Sequence, residues 1–104
     1  MTEMPAFQVV LTIVAEEEPA PGELEAAAEV VLAALQRKAA SIAMGPVVSV
    51  NFERSSVEAE CTVSGEGADE VHGKIARIFD VMLAAANSFE YYSSRTERPE
   101  LALA

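Results

Sequence analysis

The stretch VVSVNFERSSVEAECTVS, residues 47–64, decides the fold. Its first half sets Val48, Val50 and Phe52 on one side and Val47, Ser49, Asn51 and Glu53 on the other. Its second half alternates again, with Val57, Ala59, Cys61 and Val63 inward and Glu58, Glu60 and Thr62 outward. A side-chain period of two marks strands with one buried face. The polar step Arg54-Ser55 separates the runs, so residues 47–53 and 56–64 read as a hairpin.

On its N-terminal side, residues 23–44 put Leu24, Ala28, Val31, Leu35, Ala39 and Ile42 on one stripe at helical spacing, with Ala27 at its edge. Glu23 and Glu25 open this segment and Arg37 and Lys38 lie toward its end, the polarity that the helix dipole favours. Gly45-Pro46 is the expected stop. Before it, residues 7–16 alternate, with Phe7, Val9, Leu11, Ile13 and Ala15 on one face and Gln8, Val10, Thr12 and Val14 on the other. That is a central strand, ended by Glu16-Glu17-Glu18-Pro19-Ala20-Pro21-Gly22, where like charges repel and proline cannot donate to a ladder.

On the C-terminal side, Ser64-Gly65-Glu66-Gly67 reads as a turn, and Ala68-Asp69-Glu70 opens a second helix. The core stripe of that helix is Val71, Ile75, Ile78, Met82 and Ala85, flanked by Phe79 and Ala86, and Asn87 is its stop. Residues 89–96 are rich in aromatic and hydroxyl side chains and read as a short strand. Glu97-Arg98-Pro99 should end the pairing and leave residues 97–104 as a frayed C-terminal tail. The order strand, helix, strand, strand, helix, strand gives a ferredoxin-like βαββαβ α+β sandwich: a four-stranded antiparallel sheet with both helices on one face. At 104 residues, 51% hydrophobic and 23% charged, the chain is expected to form a single domain, 1–104, around one core.

Seventeen acidic residues against 7 basic ones give a formal net charge of −10. This opposes the counterion-release term of nucleic-acid binding, so no nucleic-acid partner is expected. An RNA-reading sheet would also expose aromatic residues on its central strands, where this chain has Gln8, Val10, Thr12, Glu58, Glu60 and Thr62. The apolar run 7–15 is about half of a membrane span, so no membrane partner is expected. Cys61 is the only cysteine, which leaves no intrachain disulfide and no thiolate metal site. With Ala and Glu dominating the composition and Arg outnumbering Lys, as in a GC-rich bacterial or phage genome, it points to a cytoplasmic location.

No convergent catalytic, cofactor-binding or metal-ligating set emerges, and no cofactor is expected. His72 is the only histidine and has no Ser or Cys at a recognisable spacing. Cys61 reads as a small core residue. Gly65 and Gly67 lie between a strand and a helix, where backbone N–H groups can hold an anion. Glu66, Asp69 and Glu70 crowd that loop with negative charge, so a turn and cap is preferred, with a ligand loop as the alternative. Glu58 and Glu60 share the open face and could meet a cation or a basic group, although a solvated sheet face is preferred. On the outward side of the first helix, Ala26, Val30, Ala33, Arg37, Ala40 and Met44 form a stripe of mainly small residues.

The expectation is a non-enzymatic acidic interaction or regulatory module that acts as a homo-oligomer, a dimer first, with a basic protein as candidate partner. Its interface is expected on the open sheet face, with Val10, Thr12, Val14, Val47 and Tyr92 as the patch and Glu58 and Glu60 at the rim. Tyr91-Tyr92-Ser93-Ser94 is the edge least guarded by charge. One alternative is a small-ligand-binding, amino-acid-sensor-like domain using Gly65 and Gly67. Another is a cofactor-independent enzyme with a pocket between subunits and His72 or a glutamate as base.

Overall fold

A computed structural model describes residues 4–89 and 92–103. Along the chain come β1 (Ala6–Ala15), α1 (Glu23–Lys38), β2 (Met44–Asn51), β3 (Ser56–Ser64), α2 (Ala68–Ala86), β4 (Ser94–Thr96) and β5 (Glu100–Leu103). The strands lie in the order β2-β3-β1-β4, β5 also pairs with β1, and every pairing is antiparallel. The two helices pack on each other and on the sheet. This is the ferredoxin-like α+β arrangement, with five strands in place of the expected four.

The core follows from the phase of β1 and β3. Val9, Leu11 and Ile13 stand opposite Cys61, Ala59 and Val57, and all six are at most 1% exposed. Leu24, Ala27, Val31 and Leu35 of α1 and Val71, Ile75, Ile78 and Met82 of α2 close over them in one cluster. Each fully buried Val, Leu, Ile or Met contributes about 1.5–3 kcal/mol by its transfer out of water. These two strands and two stripes therefore dominate the stability of the layer pair.

The first helix ends at Lys38, six residues before the expected end at Met44. Ala39 departs from helical geometry with φ −126°, yet the amides of Ile42 and Ala43 still donate to the carbonyl of Ala39, at 3.0 and 2.8 Å. That isolated turn keeps Ala39 and Ala43 buried at helical spacing, which is why the periodicity outlasts the helix. Gly45, at φ +60°, and Pro46 lie within β2, where the register slips between Met44 and Val47. Val48 and Val50 face the helices as expected. Phe52 does not: it sits in the turn after β2 and is 65% exposed.

Within the segment read as a frayed tail, Glu100–Leu103 is instead a strand. Four residues of β1, Ile13 back to Val10, face five of the edge strand, Thr96 to Glu100, so β4 and β5 are one edge interrupted by a bulge at Glu97-Arg98-Pro99. The amide of Glu97 still donates to the carbonyl of Thr12, at 2.9 Å. Proline is compatible with an edge bulge because no ladder donor is needed there.

Candidate functional site

Both helices cover one face of the sheet, and the register assigns the other face. Gln8, Val10, Thr12 and Val14 of β1 stand opposite Thr62, Glu60, Glu58 and Ser56 of β3, and Val47 and Ser49 of β2 stand opposite Glu60 and Glu58. On the far side, Arg95 stands opposite Val14, and Glu100 opposite Val10. Six expected interface residues, Val10, Thr12, Val14, Val47, Glu58 and Glu60, thus share one face.

Their environments differ sharply. Gln8 donates to Glu60 at 2.9 Å and accepts from the Thr62 hydroxyl at 3.1 Å, a polar cluster at the beginning of β1. Arg54, in the β2–β3 turn, donates through Nη2 to both carboxylate oxygens of Glu97 in the bulge. Glu97 raises the pKa of the guanidinium most, by hydrogen bonding and charge, and the charges of Glu58 and Glu100 add to the effect. The register places this pair at the Thr12–Val14 end of β1, where Thr12 is 8% and Val14 9% exposed. Val10 and Glu58 are half-buried, and Glu60 and Val47 are exposed. The apolar patch is therefore smaller than the strand pattern alone implies, because a charge pair roofs one end of it.

Tyr92 is not part of this face. Ser94 stands opposite Ala15 on the helix side, and Tyr92, two residues earlier, is 5% exposed within the core cluster. It meets Phe89 edge to face with ring centroids 6.4 Å apart. Burial, and secondarily Glu23, push its phenol above the ordinary range, and its hydroxyl has no partner among the described residues. Tyr91 lies outside the described residues.

The Gly65–Gly67 loop closes on itself. The Glu66 amide donates to the Glu70 carboxylate at 2.9 Å, which fills the position that an external anion would occupy. That bond, and then Lys74, hold the Glu70 carboxyl below its ordinary value. Lys74 donates to the Ser64 carbonyl at 2.6 Å and so ties the helix to the strand end. A Cβ on Gly65 would meet Val71 Cγ2 at 2.9 Å, so this glycine serves close packing. His72 is exposed on α2, and of the outward stripe on α1, Ala33 and Arg37 are exposed, while Ala40 and Met44 lie beyond the helix. Cys61 is buried. Among the described residues, no group of three or more His, Cys, Asp or Glu side chains is arranged to hold a metal, and no helix is long and apolar enough to cross a membrane.

Two features were missed in the sequence. At the β1–α1 end, a cleft of about 330 Å³ is walled by Pro19, Pro21, Gly22, Leu24 and Phe52, and a second of about 200 Å³ by Glu16, Glu17 and Tyr92. The paired prolines that end the strand also wall this cleft, a double role that strand-stop reasoning does not reveal. The other feature is β5, whose Leu101 and Leu103 are 41% and 76% exposed. No protein-family model, no curated protein and no solved structure matches the chain.

Proposed function

We propose that the chain is a non-enzymatic, self-associating interaction module that offers an acidic surface to a basic partner. The observation that carries the partner surface is the sheet face left bare by both helices, with Val10 and Val47 set among Glu58, Glu60 and Glu100, and self-association draws its support from the edge strand β5 with its exposed Leu101 and Leu103. A formal net charge of −10 steers cationic partners and repels anionic ones. Arg-rich partners suit the face best, because a guanidinium can bridge two carboxylates through fixed donors. Sedimentation equilibrium on the unmodified protein at high micromolar concentration tests the self-association. A dimer is expected, and a monomer overturns it.

A second reading, a small-ligand regulatory domain, draws support from the cleft of about 330 Å³ between the β1–α1 loop and Phe52. Its volume falls in the range of ligand sites. In that reading the ligand sits at the opposite end of the sheet from Gly65 and Gly67. Chemical shifts confined to residues 18–25 and Phe52 on addition of an amino-acid library would favour it over the interaction module.

A further inference from the structure

We propose that β5 joins two copies of the chain edge to edge, as antiparallel strands related by a two-fold axis through Ala102. The inference rests on the self-association reading and names the contact that makes it. Hydrogen-bond direction along β1 fixes which groups of β5 are free. The carbonyl of Thr12 accepts from Glu97, and the amide of Glu16 donates to the Ser93 carbonyl, so the even-numbered residues of β1 point toward the β4–β5 edge. The carbonyl of Pro5 and the amide of Ala15 instead bond Gly65 and Ser55, so the odd-numbered residues point toward β3.

Gln8 stands opposite Ala102, and Val10 opposite Glu100. Those are the hydrogen-bonded pairs, which turn the N–H and C=O groups of Glu100 and Ala102 inward. The backbone groups of Leu101 and Leu103 consequently face away from the sheet, on a strand whose sole neighbour among the described residues is β1. An axis through Ala102 sets Leu101 opposite Leu103 of the second copy, and Leu103 opposite its Leu101. Both pairs are then hydrogen-bonded through outward-facing groups. All four leucine side chains project to the helix side of the joined sheet, because Leu101 and Leu103 share the phase of Val9 and Phe7. Neither helix reaches β5. The contact therefore fills two vacancies at once, a backbone ladder and an apolar strip.

The opposite edge does not offer this. β2 carries Pro46, which has no N–H, and the register slip between Met44 and Val47 breaks its ladder. Charge also favours β5 as the seam. Glu16, Glu17 and Glu18 follow Ala15 at the far end of β1, whereas β5 pairs with its beginning, so antiparallel joining carries the two acidic loops away from each other.

Two variants test the proposal by sedimentation equilibrium and oxidative cross-linking. Leu101→Lys with Leu103→Lys should weaken dimerisation at least tenfold while the far-ultraviolet circular dichroism and melting of the monomer stay unchanged, since both side chains are exposed. Ala102→Cys should form a disulfide-linked dimer in air. Its non-hydrogen-bonded position across the axis brings the Cα atoms to about 4.5 Å, within disulfide range, and Cys61 is buried and does not compete. Val47→Arg, on the open face but at the edge of the sheet away from β5, is the control and should leave the dimer intact. A dimer that survives the lysine pair and fails to cross-link at position 102, yet dissociates with Val47→Arg, overturns the β5 contact and leaves self-association standing. A monomeric unmodified protein overturns both.

Discussion

Arg54 and Glu97, 43 residues apart in sequence, meet above the open sheet and tie the β2–β3 turn to the edge-strand bulge. Their side chains keep 49% and 25% of their exposure, so water and salt screen the pair. Arg54→Ala and Glu97→Gln should each lower the melting temperature at low ionic strength, and the double variant should lower it less than the two losses combined. The differences should fade at about 1 M salt. Melting curves that are equally shifted at both ionic strengths would show that the pair contributes by packing rather than by charge.

Cys61 sits fully enclosed between the sheet and the helices, and burial, with a smaller push from Glu60, lifts its thiol from 9.0 to about 11. The fold therefore favours the protonated form. That contribution is complete below the unfolded value near 9 and is lost as pH rises through about 11. Urea midpoints should fall across this window, and Cys61→Ala should flatten the fall while costing about 1 kcal/mol of packing at neutral pH. Native protein should react slowly with thiol reagents, and rapid stoichiometric labelling would contradict the burial.

Tyr92 buries a hydroxyl with no partner among the described residues. Removing an unsatisfied buried donor recovers its desolvation cost, so Tyr92→Phe should leave stability unchanged or raise it by about 1 kcal/mol. Tyr92→Ala should cost about 3–5 kcal/mol because the ring is core. Denaturant titration separates the two, and a loss of stability in the Phe variant would mean that the hydroxyl has a bonding partner.

Gly65 and Gly67 should respond unequally to the same change. Gly65→Ala drives a methyl against Val71 and should cost about 1–3 kcal/mol. Gly67 has nothing within 4 Å of such a methyl, so Gly67→Ala should be close to neutral. Thermal melts of both variants check this. Equal effects would show that the loop adjusts freely.

The alternation of Val9, Leu11 and Ile13 against Val57, Ala59 and Cys61 was legible because those residues obey one rule, a period of two with one dry face. What misled was local structure that imitates a longer element. Ala39 and Ala43 remain buried four residues apart through a lone turn, so a helical stripe ran on past Lys38. Tyr92 failed for the opposite reason. In a short strand with aromatic residues on both phases, only the pairing of Ser94 with Ala15 reveals which side is inside. Glu97-Arg98-Pro99 carries every mark of a terminator, and a bulge uses the same residues while letting pairing resume. The polar roof over Thr12 and Val14 needs two segments far apart in sequence, which periodicity cannot bring together.

The bulge also gives the edge strand one residue of slack. The extra residue between Thr96 and Glu100 is taken out of the alternation, which keeps Leu101 and Leu103 in phase with Val9 and Phe7. Deleting Arg98 would leave three steps opposite three, so the edge would run on regularly and both leucines would stay on the helix side. Inserting one more residue would need a wider bulge, or it would turn β5 over and place the leucines among Gln8 and Glu60. This segment should therefore tolerate shortening by a single codon better than lengthening by one.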